Sequence, residues 1–426
     1  MKSFVCVFLV LGVLDCFSIK GFAREGEMDA NITSSLQEKQ KQFILHPPKE
    51  DFSFCEDWTD ATFFGSLEDK IAGEDLLKEG KVACLLLAGG QGSRLGEGIA
   101  KGRVEVSLLQ NKSLFQIFFE KTLYAGLQCG RKLPIAIMTS SYNHEETVEF
   151  ISSHNFFGLS QDQVYFFTQE DLPFCDKEGN WLSKTPDLNA KGPNGNGHAL
   201  HRMYESGVLD SFSKMGVEHI NVIQIDNPLA DPFDATFLGF HYRKGSEISI
   251  IAVTRESQGE KAGVIASDQG MCRIVEYTET LNRPFSLLNT GLFCFSVDFI
   301  KQIAEKNVEL PWHAAYKKIA SGEFVWKFEY FLFDVFPYAK TISVLVKPRS
   351  ECFSPLKNAV GDKSLETVRR DLLQKDQARY LALTGKEPSL QEIELSFAFY
   401  YPKPEEILHW KEAKWPDKAY ITPEAL

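Results

Sequence analysis

The 426-residue sequence has no excess of basic charge: 46 Lys and Arg stand against 58 Asp and Glu, a formal net charge of −12. It therefore lacks the positive field that holds nucleic acid or an anionic membrane surface, and any polyanionic ligand must be gripped by a local site. The nine cysteines contain no CxxC pair, which leaves neither a zinc site nor a disulfide framework indicated. Most lie in apolar runs such as Val82-Ala83-Cys84-Leu85 and Phe293-Cys294-Phe295 and read as buried, reduced thiols. No serine sits in a GxSxG elbow and no HExxH pair occurs, so hydrolase and zinc-protease arrangements are missing; His198 and His201, three apart, read as polar surface. Methionine is scarce (6) beside 34 phenylalanines, so large rigid rings fill the core. No repeat or low-complexity tract is present. The apolar run from Phe4 to Leu14 is too short to span a bilayer.

What is there is an ordinary globular composition, 44% hydrophobic and 24% charged, long enough for two or three domains. The first 23 residues, with Lys2, the apolar run and Gly21-Phe22-Ala23, have the outline of a secretory signal, interrupted by Asp15 and Cys16. Met28 opens a polar stretch that looks like a second start. Of the two readings, an export signal or an upstream extension preceding Met28, the second is preferred, because the chemistry below needs a cytosolic nucleotide.

Four segments follow: 1–27, signal-like or non-native; 28–80, a polar helical segment; 81–347, the core; 348–426, a C-terminal segment. Within 81–347, buried strands alternate with amphipathic helices, the pattern of an α/β domain with a mixed, mostly parallel sheet. Strands are expected at 82–88, 135–138, 164–167, 220–225, 248–253, 292–295 and 342–346, with a hairpin over 264–277 turning at Asp268-Gln269-Gly270. Helices are expected at 113–126, 145–153, around 328–338 and, in the C-terminal segment, 365–383.

The strongest chemical feature directly follows the first buried strand: Leu87-Ala88-Gly89-Gly90-Gln91-Gly92-Ser93-Arg94-Leu95-Gly96. Its glycines let backbone N–H groups approach an anion. Position 95 is leucine, which breaks the dinucleotide fingerprint, and no Gly-Lys-Ser/Thr follows to make a Walker A loop. Arg94 and Lys101 supply cations for phosphate oxygens. A second cluster, Gly192-Pro193-Asn194-Gly195-Asn196-Gly197-His198, is either a linker or a flat backbone platform for a base or ribose. Asp226 ends the strand expected at 220–225; ligands bind outside the carboxyl ends of parallel strands, and a carboxylate beside phosphates is a natural Mg²⁺ ligand, although Asp-Asn-Pro is also an ordinary turn. Lys357 in Ser354-Pro355-Leu356-Lys357-Asn358 gains interest only by convergence with these pieces.

The glycine loop resembles the LAGGQGTRLG signature of eukaryotic-type UDP-N-acetylhexosamine pyrophosphorylases, the UDP-sugar pyrophosphorylase family of nucleotidyltransferases. The match continues in family order through Lys112-Ser113-Leu114-Phe115-Gln116, Gly195-Asn196-Gly197, Asp226-Asn227, Gly263-Val264, Val275-Glu276-Tyr277, Asn289-x-Gly291 and Phe353 to Ala359. The resemblance implies a Rossmann-like nucleotidyltransferase core and a reaction of UTP with a sugar 1-phosphate, giving a UDP-sugar and pyrophosphate. It also implies roles. Gly89, Gly90 and Gly92 would hold the uridine side and phosphates, with Arg94, Lys101 and Lys357 beside the triphosphate. Gln169, Gly195, Asn196 and Gly197 would meet uracil and ribose, Gly263, Glu276 and Asn289 would line the sugar pocket, and Asp226 would bind Mg²⁺.

The sequence departs from the family pattern at Ala100, at Ser107-Leu108-Leu109-Gln110, at His198 and at Asn289-Thr290-Gly291-Leu292. The last two fall where the sugar should bind, so the resemblance supports uridylyl transfer better than the identity of the sugar: glucose, N-acetylglucosamine and N-acetylgalactosamine 1-phosphates stay open, with N-acetylglucosamine 1-phosphate expected first and glucose 1-phosphate as the alternative. A catalytically inactive nucleotide-binding relative and a secreted binding protein are the remaining readings.

Overall fold

The computed structural model describes residues 30–48, 52–90, 92, 100–182, 190–257, 259–276, 279, 283–319 and 322–426. The chain opens with α1 (Ala30–Leu45), β1 (Glu56–Asp57), β2 (Ala61–Phe63) and α2 (Leu67–Glu79). A reciprocal Ser66/Asp69 capping box starts α2, and Gly80, left-handed at φ 74°, stops it. The alternating region comprises β3 (Val82–Leu87), α3 (Leu114–Cys129), β4 (Ile135–Thr139), α4 (His144–Ser153), β5 (Val164–Thr168), β6 (Asp171–Pro173), β7 (Lys191–Pro193), α5 (Ala199–Glu205), α6 (Val208–Lys214), β8 (His219–Gln224), α7 (Ala235–Arg243) and β9 (Ile248–Thr254). The hairpin β10 (Val264–Asp268) and β11 (Met271–Val275) follows as expected, then β12 (Leu287–Ser296), α8 (Val297–Glu305), β13 (His313–Lys318), β14 (Phe324–Glu329) and β15 (Ile342–Val346). The C-terminal segment holds α9 (Arg349–Cys352), α10 (Leu365–Thr384), β16 (Glu394–Leu395), α11 (Pro404–Glu412) and β17 (Tyr420–Ile421).

One large sheet has the principal order β2-β15-β9-β12-β8-β3-β4-β5. Strands β8, β3, β4 and β5 run parallel, as do β2, β15 and β9, and β12 is antiparallel between the two sets. The sheet is therefore mixed and mostly parallel. Strand β3 explains the pattern: all six residues are buried, with Val82, Cys84 and Leu86 in one core and Ala83, Leu85 and Leu87 in the other. A strand covered on both faces needs no polar alternation, which is why it reads as a continuous apolar run. Helices α2 and α7 cross so closely that a Cβ at Gly73 would meet the Ala235 carbonyl oxygen at 1.7 Å.

Two expectations are corrected. Residues 28–80 also contribute strands: β1 pairs with β10 and β2 with β15. Elements of two and three residues carry no periodic signal. The helix expected around 328–338 is the end of the β13–β14 hairpin followed by a 3₁₀ helix, Leu332–Tyr338, that contains Pro337. The C-terminal segment has its own small core of Leu383, Ile393, Leu395, Phe399, Trp410 and Ile421. Cys84, Cys175, Cys272, Cys294 and Cys352 are buried thiols and Cys129 is partly buried.

Candidate functional site

The carboxyl ends of β3, β4, β5 and β8 open on one cavity of about 340 Å³. Seven of the residues singled out from the sequence lie in its wall: Gly89, Gly90, Lys101, Gln169, Gly195, Asn196 and Asp226. Arg94 and the first 27 residues lie outside the described residues.

The first wall is the turn after β3. Ala88 donates its N–H to the Met138 carbonyl at 2.8 Å, and the Asn143 amide donates to the Ala88 carbonyl at 2.9 Å, so the turn is fastened to β4 and α4. The Gln169 side chain lies directly over Gly89: a Cβ there would meet Oε1 at 2.7 Å. Over Gly90, by contrast, no described atom lies within 4 Å of an added Cβ. Gly92 adopts φ 58°. Lys101 donates its backbone N–H to the Gly90 carbonyl at 3.3 Å, and Gly102 leaves room for the Phe115 ring, 2.2 Å from where a Cβ would stand.

At the Lys101 and Asp226 side of this cavity lies a charge cluster whose third member, Lys357, lines a neighbouring cavity of about 1070 Å³. Asp226, 6% exposed, holds the Lys101 ammonium at 3.2 Å and the Lys357 ammonium at 3.0 Å, both on Oδ2. Burial pushes its carboxyl up, but the two ammonium groups outweigh burial and hold it below the ordinary 3.8, so the group is ionised at neutral pH. Lys357 reaches a residue 131 positions away because the backbone is pinned there. Leu356 donates to the Asp226 carbonyl at 2.7 Å, Ser354 donates to Asn227 Oδ1 at 2.9 Å, and the Asn227 amide donates to the Cys352 carbonyl at 2.8 Å.

The second glycine cluster packs against the chain itself. Gly195 has φ 85°, and a Cβ there would sit 2.5 Å from the Tyr330 carbonyl oxygen; at Gly197 it would sit 2.4 Å from Tyr330 Cβ. Gly197 donates to the Tyr330 carbonyl at 2.9 Å, and Asn196 Oδ1 accepts from the Leu332 N–H at 3.0 Å. Gly197 faces a separate small hollow of about 120 Å³ beside Glu170 and His198. His198 is not simply polar surface: it stacks on Tyr330 with ring centroids 4.2 Å apart, and its Nδ1 lies 3.2 Å from Glu170 Oε2.

The remaining three residues form a group of their own. Asn289 donates its N–H to the Gly263 carbonyl at 2.9 Å, and a Cβ on Gly263 would lie 3.4 Å from Glu276 Oε1. Glu276 lines a cavity of about 250 Å³ with Arg273, His313, Phe333 and Asp334. Burial, with the neighbouring Glu279 charge, raises its carboxyl above the ordinary 4.5. Asn289 sits at an irregularity of β12, where Thr290 and Gly291 are extra relative to β9, and Gly291 at φ 73° packs on Gln224, itself in the wall of the main cavity.

Sequence reasoning missed Lys327, Glu329 and Phe331, which enter the main cavity from β14 and the residues just after it. Lys327 and Glu329 pair at 2.6 Å. The charged residues at 327 and 329 two apart were the available signal, obscured because the segment reads as the start of a helix.

Residues 33–406 match the family described as UTP–glucose-1-phosphate uridylyltransferase, so the chain belongs to that family. It is 35% identical over 318 residues to UDP-N-acetylglucosamine diphosphorylase 2 of Arabidopsis thaliana, covering 68% of this chain and 63% of that protein. It is 32% identical over 326 residues to the UDP-N-acetylglucosamine pyrophosphorylase of Saccharomyces cerevisiae, covering 68% of each. In fold it is similar to the uridine diphosphate N-acetylglucosamine pyrophosphorylase of Trypanosoma brucei, solved in complex with an inhibitor. That comparison has a TM-score of 0.77 and 23% identity, and covers 92% of this chain and 89% of the other.

Proposed function

We propose that the chain transfers the uridylyl group of UTP to a sugar 1-phosphate and releases pyrophosphate, with N-acetylglucosamine 1-phosphate as the sugar substrate. The carrying observation is the Lys101–Asp226–Lys357 cluster at the mouth of the parallel strands, beside the Gly89-Gly90 turn. Membership of the family supports uridylyl transfer to a sugar 1-phosphate, and the names of the relatives support N-acetylglucosamine 1-phosphate as the acceptor.

In this reading a sugar-phosphate oxygen attacks the α-phosphorus in line. A new P–O bond forms, the bond from the α-phosphorus to its bridging oxygen breaks, and pyrophosphate departs with the electron pair. The nucleophile is already ionised, so the protein needs no strong base and no covalent intermediate; it must align two anions that repel each other. Lys101, Lys357 and Arg94 neutralise the phosphates, and the Gly89, Gly90 and Gly92 backbone approaches them. Gln169, Gly195, Asn196 and Gly197 attend to uracil and ribose, and Gly263, Glu276 and Asn289 to the sugar.

Asp226 fits Mg²⁺ as a single ligand, being ionised with both lysines gathered on one oxygen. No group of three or more His, Cys, Asp or Glu able to hold a metal occurs among the described residues. Asp226 would hold the ion, and the chemistry supplied would be positive charge to offset the negative charge of the phosphates. We place the activity in the cytosol, because the proposed reaction needs a cytosolic nucleotide.

The test is pyrophosphate release from UTP and Mg²⁺ with N-acetylglucosamine, N-acetylgalactosamine and glucose 1-phosphates. Release fastest with the first is expected. Release with glucose 1-phosphate alone would change the sugar, and silence with all three while UTP still raises the melting temperature would leave an inactive nucleotide-binding relative.

A further inference from the structure

The residues just after Asp226 leave the sheet without regular hydrogen bonding, and three successive carbonyls there are met by two lysines, the buried Lys121 and the partly buried Lys375. Lys121 on α3 donates to the Pro228 and Ala230 carbonyls, each at 2.7 Å. Lys375 on α10 donates to the Leu229 carbonyl at 3.1 Å and, with the same ammonium, to the Glu351 carbonyl at 2.8 Å. Glu351 lies in the single turn α9, whose last carbonyls have no intrahelical partner. That turn leads directly into the Ser354–Lys357 stretch.

We propose that Lys375 is a positioning residue: it ties the loop carrying Asp226 to the loop carrying Lys357, and so lets the C-terminal segment set the spacing of the charge cluster. The inference rests on the proposed uridylyl transfer for its kinetic consequence, but not for its geometry. Lysine suits the task because its three N–H donors can satisfy two carbonyls from different loops at once. A buried ammonium is costly to desolvate and persists where its hydrogen bonds are well made. Asp231 supplies compensating charge nearby and is itself held by the Tyr401 hydroxyl at 2.6 Å, another contact from the C-terminal segment. The Gly89-Gly90 turn and Gln169 hang from β3, β4 and β5 and make none of these contacts. Loss of the tie should therefore disturb the reacting phosphates more than nucleotide capture.

The experiment compares Lys375→Met, which keeps length but removes donors and charge, with Lys375→Arg, which keeps both. The Met variant is expected to lose about 10–100-fold in kcat, with KM for UTP changed less than about threefold, and the Arg variant to recover most of the loss. A general loosening would show in Leu383→Ala, which opens the C-terminal core without touching the tie and should lower stability while keeping kcat within about twofold. A folded Lys375→Met enzyme with kcat within twofold of the parent overturns the proposal, as does a loss confined to KM. If the Met variant does not accumulate, Lys375→Gln, which keeps two N–H donors on a shorter, uncharged side chain, takes its place, and the same kinetic outcomes support or overturn the tie.

A second readout needs no turnover. Lys357 must leave Asp226 before an amine-acylating reagent can modify it, so the tie is read from the acylation rate of the Lys357 peptide by mass spectrometry, with exposed Lys306 as reference. At least threefold faster acylation in Lys375→Met is expected. An unchanged rate overturns the tie even if the enzyme is active, whereas faster acylation in a protein that releases no pyrophosphate would overturn the proposed reaction and keep the tie.

Discussion

The two glycine clusters look alike in sequence and differ in what they approach. Gly90 presents its face to the main cavity with no described atom within 4 Å of an added Cβ, whereas Gly195 and Gly197 are pressed against Tyr330 at 2.5 and 2.4 Å. Glycine thus serves two ends in one site. In the first turn it lets a ligand come close; in the second it lets the chain come close to itself, carrying β14 and Phe331 up to the cavity.

The largest expected effect lies beside the first cluster. Lys101→Ala removes an ammonium from Asp226 and should lower kcat about 10²–10³-fold with the melting temperature little changed; steady-state kinetics and calorimetry on one preparation check it. The second cluster should respond in the opposite sense. Gly195→Ala places a Cβ against the Tyr330 carbonyl at a left-handed φ, and a loss of about 2–4 kcal/mol in urea unfolding is expected. Gly90→Ala should cost less than about 0.5 kcal/mol in the same assay yet slow turnover roughly tenfold, because only a bound phosphate would feel the methyl. Equal stability losses at Gly90 and Gly195 would erase the distinction.

The smallest effect is a pH dependence. The Asp226 carboxyl is depressed in the fold, so the stabilisation from its ion pairs is complete above its unfolded value near 3.8 and is lost as pH falls further, through the folded value. Asp226→Asn should flatten this acid limb in thermal unfolding followed from pH 5 to pH 2, and an unaltered limb would assign it to other carboxylates.

Much of this arrangement was legible from the residues. The strands at 82–87, 135–139 and 219–224 announce themselves because both faces are buried, and the glycine turn and Asp226 follow from their positions at strand ends. Other parts were hidden for physical reasons. Phe328, Leu332, Val335 and Phe336 are spaced like one face of a helix, yet Phe328 lies in a hairpin strand and the others belong to the 3₁₀ segment that follows, so Lys327 and Glu329 escaped notice. Lys357 carries no local sign of its role; only convergence with the other pieces singled it out, and hydrogen bonds between the Asp226-Asn227 pair and residues about 130 positions away bring it in. The Lys121 and Lys375 contacts run to backbone carbonyls, which leave no mark on sequence.

The most direct test of uridylyl transfer at this site is isotope exchange in the reverse direction: radiolabelled pyrophosphate incubated with UDP-N-acetylglucosamine and Mg²⁺, with labelled UTP measured for the parent chain and for Lys101→Ala. Label entering UTP with the parent and falling about 10²-fold or more in the variant is the predicted result. Label entering at the same rate in both, or in neither while both bind UTP, would contradict it.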